Sequence, residues 1–162
     1  YTAVIKAIAR GRDVEGRAER AERWLSLMID QGFTPEVIAF NTAMSAALIA
    51  SDFALLWRVH DLMKASGVAP NASTYTNLAT MYAKKGDIER VEDLMRESLA
   101  AGFERRQREY ACLLSAYANA WPRDPEGAER VFREMVASGV APGARAFGFL
   151  QRAVGGARAA SI

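Results

Sequence analysis

The chain has 162 residues, of which 51% are hydrophobic, and its 21 lysines and arginines nearly balance 19 aspartates and glutamates. A chain of this length and apolar content can bury a sizeable core, and a net charge of +2 permits an anionic partner without requiring one. The single cysteine, Cys112, cannot form an internal disulfide, which is typical of a reducing compartment. No apolar run approaches the roughly 20 residues that cross a bilayer, so we expect no membrane insertion.

Glycines and aromatic residues recur along the chain with one period. The glycines that follow apolar stretches lie 35, 35 and 37 residues apart, at Gly32, Gly67, Gly102 and Gly139. The aromatic residues that open the next stretch repeat in step with them, at Tyr1, Phe40, Tyr75, Tyr110 and Phe147. A period between about 20 and 50 residues is the signature of a solenoid.

Each period predicts one helix hairpin. In the first helix of a repeat, apolar residues recur at i, i+3 and i+7, as in Tyr75, Leu78 and Tyr82. We therefore predict an all-α fold, a right-handed α-solenoid with no strand, in which residues 1–162 form a single repeat array. Its four repeats span about 1–36, 37–71, 72–106 and 107–143, and a terminal half-repeat, 144–162, adds one more first helix.

The residues between the apolar stretches are suited to helix ends. Lys85-Gly86-Asp87 is predicted to end one helix on glycine and to cap the next with aspartate. Asp124 is predicted to cap a helix whose first residue is a proline. Ser51-Asp52 is predicted to cap the next helix in the same way, in a shorter turn. The extra residues of the longer periods fall in "RGRDVEGRAER" and "NAWPRDPEG", which we assign to turns within hairpins.

The segment "VAPNASTYTNLATMYAKKGDIERVEDLMRESLAAGF" resembles a pentatricopeptide repeat, the helix-hairpin family with a 35-residue period. The tetratricopeptide repeat has a period of about 34 residues and a different residue pattern. The spacing of 35 residues and the sequence Gly-Val-Ala-Pro-Asn favour the first family, and the resemblance extends over essentially the whole chain.

This resemblance implies that the chain binds single-stranded RNA in a mitochondrion or plastid and acts in RNA processing, stability or translation. In such arrays two or three side chains of each repeat contact one base. By similarity, these are the residue after the helix-opening aromatic and the residue after the proline between repeats. In the second repeat they are Asn41 and Asn71, with Ile38 flanking the base, and such a pair implies a pyrimidine.

The other repeats depart from this pattern. Thr76 is paired with Arg106, with Ser73 in the flanking position, whereas Ala111 with Gly143 and Thr2 with Glu36 are not conventional pairs. Arg105, Arg106 and Arg108 form either a phosphate clamp, in which Arg108 can stack on a base in place of an aliphatic residue, or a solvated linker partly neutralised by acidic neighbours. The candidate RNA-binding residues are Ile38, Asn41, Asn71, Ser73, Thr76, Arg106 and Arg108.

Catalytic and metal-binding motifs are not recognisable in the sequence. His60 and Cys112 are each the only residue of their type, and no glycine-rich phosphate loop is present. We therefore predict a protein that is not an enzyme and has no metal or cofactor, while a catalytic domain elsewhere in a longer protein remains open. The chain begins at Tyr1 without a recognisable targeting segment, which is typical of an excerpt.

Two classes of function remain open. The first is the single-stranded RNA-binding module. The second is a structural or adaptor subunit of an organellar ribosome or another large assembly, which would bind protein partners or structured RNA by shape. Trp121, in the enlarged turn of the fourth repeat, is a candidate partner contact.

Overall fold

A computed structural model describes residues 16–162, and this part of the chain is helical without a strand. The all-α fold predicted from the repeat is thus confirmed, while the expectations for Tyr1 and Thr2 lie outside the described residues. The helices are α1 (Arg17–Asp30), α2 (Val37–Ala50), α3 (Phe53–Ala65), α4 (Ala72–Lys85), α5 (Ile88–Ala100), α6 (Gln107–Asn119), α7 (Pro125–Ala137), α8 (Ala144–Val154) and α9 (Gly156–Ala159).

The periodic glycines end the second helix of each repeat. All four have a left-handed backbone, with φ between 69° and 86°. The amide that follows each glycine donates to a carbonyl five residues back, as in the bond from Val68 N to Met63 O (3.2 Å). This is the Schellman arrangement, in which glycine is preferred because it has no Cβ. The period of 35 residues therefore marks one helix C-terminus repeated along the chain.

Aspartates begin the second helices where the sequence predicted caps. The carboxylates of Asp52, Asp87 and Asp124 accept hydrogen bonds from backbone amides three residues later, at 2.9, 3.1 and 2.8 Å. Each bond satisfies one of the amides that a helix start leaves without a partner. The predicted turn in "NAWPRDPEG" lies between α6 and α7. In "RGRDVEGRAER", however, Arg17–Arg20 already belong to α1, and the preceding residues up to number 15 lie outside the described part.

The described residues fall into two compact units, the first ending at Asn77 and the second spanning Leu78–Ile162. In the first unit α2 packs against α1 and α3, with Phe40, Leu55 and Leu56 fully buried. The core of the second unit is built from α4 to α9, with Leu114 and Tyr117 at most 1% exposed. The column of apolar residues repeated in the second helices is 0% exposed throughout, at Ala21, Leu56, Val91 and Ala128.

The terminal half-repeat contains more than the single helix predicted for it. Gly155, with φ of 91°, ends α8 at Val154, and the short helix α9 follows. α9 packs against α8, Ala159 is buried, and Arg158 forms an ion pair with Glu129 of α7. Among residues 16–162, no helix combines the length and the apolar character needed to cross a membrane.

Candidate functional site

In the first unit, Asn41 and Asn71 are brought together by α2 and the start of α4. Asn41 Nδ2 donates to Asn71 Oδ1 at 2.9 Å. Thr74 Oγ1 donates to Asn41 Oδ1, also at 2.9 Å, and Thr74 N donates to Asn71 Oδ1 at 3.2 Å. Asn71 directly precedes α4, so its side chain both caps this helix and holds the amide of Asn41. We call these three residues the amide cluster.

The amide cluster leaves one donor available. Asn41 is only 9% exposed, and its Oδ1 accepts the hydrogen bond from Thr74. Asn71 is half-buried, and its Nδ2 donates to none of the described residues. The two asparagines therefore share one location, as the sequence indicated, but Asn41 is more enclosed than we expected. The contact of this pair with a base stays a prediction.

The remaining candidates of the first unit differ in their access to solvent. Ile38 is 47% exposed, and Ser73 is half-buried. Thr76 is 1% exposed, and its hydroxyl donates to the Ala72 carbonyl at 2.7 Å, within its own helix. Ile38 is thus the most accessible of these side chains, whereas the Thr76 hydroxyl is engaged by the α4 backbone.

Two polar residues of this site were missed by the sequence analysis. Thr74 is fully buried in the amide cluster. Asn77, 1% exposed, donates from Nδ2 to the Asn41 carbonyl at 3.2 Å and so fixes α2 against α4. Thr74 follows Asn71 by three residues, the spacing of a reciprocal helix cap, and this signal could have identified it.

In the second unit, the basic cluster predicted at the start of α6 is divided. Arg105 donates to Glu134 at 2.6 Å, and only 20% of its side chain is exposed. Arg106 and Arg108 are exposed. The acidic neighbour Glu109 is buried, and its carboxylate accepts a hydrogen bond from the Arg106 backbone amide at 3.1 Å. Glu109 therefore caps α6, while Arg105 is held by an ion pair.

No amide pair occupies the equivalent positions of the second unit. Ala111 is 9% exposed and carries no polar side-chain atom. Gln107 Nε2 donates to the Ala141 carbonyl at 3.1 Å, and a Cβ added to Gly143 would lie 2.6 Å from the same Nε2. These positions offer no side-chain donor or acceptor to a base edge.

Charge is distributed unequally between the helices of the second unit. The second helices carry acids that pair with arginines: Glu92 with Arg130 at 3.4 Å, and Glu129 with Arg133 at 3.3 Å. In the first helices, by contrast, Glu109 is the one acidic residue and it is buried. The basic residues of the first helices in this unit are Lys84, Lys85, Arg108, Arg145 and Arg152. The sequence analysis missed Arg145, although it occupies the same repeat position as Arg108.

Two buried titratable residues, Cys112 and His60, have pKa values shifted by their surroundings. Burial raises the pKa of the Cys112 thiol to about 11, opposed by its hydrogen-bonding contact with Thr80. Burial also lowers the pKa of His60. Among the residues that the structure describes, no three His, Cys, Asp or Glu side chains are grouped as metal ligands would be.

The repeat geometry corresponds to a known family. The sequence model described as the pentacotripeptide-repeat region of PRORP matches residues 40–153, well over half of the chain. The chain belongs to the pentatricopeptide repeat family. Two pentatricopeptide repeat-containing proteins of Arabidopsis thaliana are 29% identical over 60% of the chain and 30% identical over 88% of it, and the second is named chloroplastic. The chain spans 18% of the length of each of these relatives.

Solved structures of pentatricopeptide repeat proteins share this fold. PPR10 in complex with an 18-nt psaJ RNA element superimposes with a TM-score of 0.76 at 24% identity, over 99% of this chain and 23% of PPR10. The PPR domain of Arabidopsis thaliana protein-only RNase P 1, in complex with tRNA, gives a TM-score of 0.76 at 22% identity, over 98% of this chain and 81% of that domain. At these identities the similarity establishes the fold.

Proposed function

We propose that this chain is a single-stranded RNA-binding part of a longer pentatricopeptide repeat protein. The amide cluster of the first unit carries the proposal, because it leaves the Asn71 amide available on helices whose first turns also carry a half-buried polar side chain, Ser73, and an exposed apolar one, Ile38. The neighbours that were solved with an RNA element and with tRNA support RNA as the ligand class. The chain itself binds RNA and does not cleave it.

By the family resemblance, the Asn41–Asn71 pair points to a pyrimidine, and the chemistry of Asn71 distinguishes between the two pyrimidines. Its Nδ2 can donate to a ring nitrogen or carbonyl on the Watson–Crick edge, and its Oδ1 is already engaged by Asn41 and Thr74. A donor at this point matches N3 of cytosine, which accepts, better than N3–H of uracil, which donates. Ile38 supplies an apolar surface against which the base can pack.

The variant Asn71→Asp tests this assignment. Aspartate caps a helix about as well as asparagine, so α4 keeps its cap, but the Nδ2 donor is replaced by an acceptor. We expect the preference for cytosine over uracil in a short oligonucleotide to fall or reverse, by about 1–3 kcal/mol for one good base contact. Fluorescence anisotropy with oligonucleotides that differ at one position measures it.

The matched control for this variant is Asp52→Asn. It exchanges the same two side chains at the cap of α3, a second helix, and should leave base preference unchanged. An identical preference in wild type and Asn71→Asp would contradict base contact by the amide cluster. Because Asn71→Asp adds a negative charge and Asp52→Asn removes one, changes of the same size and opposite sign in the two variants would assign the effect to charge alone.

We further propose that the longer protein acts on transcripts of a mitochondrion or plastid, in RNA processing, stability or translation. The relative named chloroplastic supports an organelle. Imaging of a fluorescent fusion of the full-length protein tests this assignment, and a signal confined to the cytosol would contradict it.

A structural or adaptor role in an organellar ribosome or another large assembly is the second candidate. Trp121, 90% exposed in the turn before α7, favours it, because an isolated exposed tryptophan is suited to a protein partner. The absence of reading side chains at Ala111 and Gly143 agrees with it. Undetectable binding of RNA at low salt would favour this role over the first.

A further inference from the structure

We infer that Thr74 determines which pyrimidine the amide cluster selects, although its own side chain does not contact the base. Thr74 is fully buried, and it is hydrogen-bonded to both Asn41 and Asn71. The inference rests on the proposed function and deepens it, because it explains why the cluster presents a hydrogen-bond donor and not an acceptor. Thr74 is thus a positioning residue for the base contact.

Thr74 and Asn71 fix each other at the start of α4. The Asn71 backbone amide donates to Thr74 Oγ1 at 3.1 Å, and the Thr74 backbone amide donates to Asn71 Oδ1 at 3.2 Å. A backbone amide can only donate, so the atom of the Asn71 side chain that faces it has to be the oxygen. The nitrogen Nδ2 therefore lies on the opposite side of this side-chain amide.

The Thr74 hydroxyl orients the second amide. Because Oγ1 already accepts from the Asn71 backbone, its one proton is available to a carbonyl oxygen. Asn41 Oδ1 lies 2.9 Å from Thr74 Oγ1 and Asn71 Oδ1 lies 3.3 Å from it, so the nearer oxygen, that of Asn41, receives the proton. Asn41 Nδ2 then donates to Asn71 Oδ1 at 2.9 Å. We call this closed sequence of three donations, from Thr74 to Asn41, to Asn71 and back to Thr74, the hydrogen-bond ring.

The hydrogen-bond ring determines what the cluster offers to a base. Both side-chain oxygens accept within the cluster, and Asn71 Nδ2 remains as a donor. A donor matches N3 of cytosine and disfavours N3–H of uracil. Without the Thr74 hydroxyl, Asn41 Oδ1 would be a buried acceptor that has lost its donor, which is unfavourable. The Asn41 side chain should then rotate and present this oxygen, which matches N3–H of uracil.

A hydroxyl at this position occurs once among the described first helices. The residue directly before the helix-opening aromatic is Thr74 in α4, whereas the other first helices have Ala39, Glu109 and Ala146. Alanine has no polar side-chain atom. The Glu109 carboxylate accepts from the Arg106 backbone amide at 3.1 Å, but an ionised carboxylate has no proton to pass on. Among these helices, the hydrogen-bond ring can therefore form only at the start of α4.

Two substitutions of Thr74 test the inference. Thr74→Val removes the hydroxyl and keeps the branched shape of the side chain, and Thr74→Ser keeps the hydroxyl. The measurement is the ratio of the dissociation constants of two oligonucleotides that carry uracil or cytosine at one position. One good base contact gives a ratio of about 5 to 150 in the wild type. We expect Thr74→Val to bring this ratio close to one and Thr74→Ser to retain it. A purely structural role would weaken the binding of both oligonucleotides by the same factor and leave the ratio unchanged.

Thr80→Val is the matched control. It makes the same exchange later on α4, where the hydroxyl contacts Cys112 Sγ at 3.7 Å. Its ratio should equal that of the wild type. Equal changes of the ratio in Thr74→Val and Thr80→Val, or in Thr74→Val and Thr74→Ser, would overturn the role of the Thr74 hydroxyl. Circular dichroism verifies that the variants are folded, and binding is measured below the unfolding midpoint of each.

The side-chain amide signals of Asn41 in NMR test the hydrogen-bond ring without RNA. Thr74→Val should shift these signals and accelerate the exchange of their hydrogens with water, because the Asn41 amide is no longer held in one orientation. Thr74→Ser should restore the wild-type signals. Unchanged Asn41 signals in Thr74→Val would overturn the inference even if the variant binds no oligonucleotide.

The variant Asn71→Asp separates this inference from the proposed base contact. If Asn71→Asp changes the ratio and Thr74→Val does not, the base contact stands and the inference about Thr74 is wrong. If Asn71→Asp leaves the ratio unchanged, the base contact is wrong, and base selection by Thr74 is wrong with it.

Discussion

At the scale of single residues, His60 shows how burial within a hairpin controls a side chain. Its imidazole is 5% exposed, packs edge-on against Trp57 with ring centroids 5.3 Å apart, and has Nδ1 3.8 Å from Asp61 Oδ1. Burial lowers the pKa of His60, the positive charge of Lys64 lowers it further, and Asp61 opposes both. The neutral imidazole is therefore the form that the folded protein favours.

This lowered pKa predicts a loss of stability in weak acid. Because the unfolded chain binds a proton more readily than the folded one, the stabilisation is complete above the ordinary pKa of about 6.5. It is lost as the pH falls through the lower pKa of the folded state. His60 is the one histidine in the chain, so its ring signals in NMR report the titration directly. A midpoint at or above the ordinary value would contradict this prediction.

The variant His60→Gln provides the stability test. The unfolding midpoint of the wild type should decrease between pH 7 and pH 5.5, and the variant should lose most of that decrease. Asp61→Asn is the control, because it removes the acid that opposes the shift but keeps the imidazole, and its dependence on pH should be steeper than that of the wild type.

At the scale of helices and turns, the sequence predicted the ends of helices best where the interactions that form those ends are local. Glycine at Gly67 and aspartate at Asp87 act through the backbone of their own turn, so the residue type and spacing alone identify them. The enclosure of Asn41 was not predictable in this way. It depends on Asn71 and Thr74, which are 30 or more residues away and reach Asn41 only once α2 and α4 have packed.

The same limit explains what was missed in the second unit. The one-letter sequence presents Arg105 and Arg106 as equivalent, and only the position of Glu134 on α7 distinguishes the paired arginine from the exposed one. Gly143 offers no side chain at this position, as its residue type shows, but the donation from Gln107 to the nearby Ala141 carbonyl is a tertiary contact that the sequence does not reveal. Tertiary contacts of this kind leave no periodic signal.

Substitution of two glycines that share a left-handed backbone should reduce the stability of the fold by different amounts. Gly86 and Gly102 have φ of 72° and 86°. A Cβ on Gly102 would have no atom within 4 Å, whereas one on Gly86 would lie 2.5 Å from the Asn119 carbonyl oxygen. Gly102→Ala should cost about 1–2 kcal/mol for the left-handed conformation. Gly86→Ala should cost about 1–3 kcal/mol more, because backbone must move to make room.

Urea unfolding of these two variants measures the difference. Both positions lie in the second unit, so each is compared in the same folded context. Equal losses would show that the close approach between Gly86 and the end of α6 relaxes without cost. A larger loss for Gly102→Ala would contradict the packing described for this turn.

At the scale of the whole molecule, ion pairs between second helices follow the repeat. Arg58 donates to both carboxylate oxygens of Glu22 in the first unit, at 2.8 and 3.0 Å, and Arg130 pairs with Glu92 at equivalent positions in the second. Exposed pairs of this kind contribute about 0–1 kcal/mol each. The apolar contacts between adjacent helices therefore supply most of the stability, and each repeat depends mainly on its neighbours.

This dependence on neighbours predicts a graded response to truncation at the C-terminus. Removal of residues 156–162 eliminates α9 and the ion pair between Arg158 and Glu129, which leaves Glu129 with Arg133 as its partner. Removal of residues 144–162 also eliminates α8, whose Ala146 and Leu150 are fully buried in the core of the second unit. We expect a small decrease in unfolding midpoint for the first truncation and a larger one for the second.

Because the repeats that remain retain their mutual contacts, circular dichroism should lose only the signal of the deleted helices, and amide exchange in α2 and α3 should keep its protection. Collapse of the helical signal in the longer truncation would show that the chain folds as one indivisible unit and would contradict this prediction.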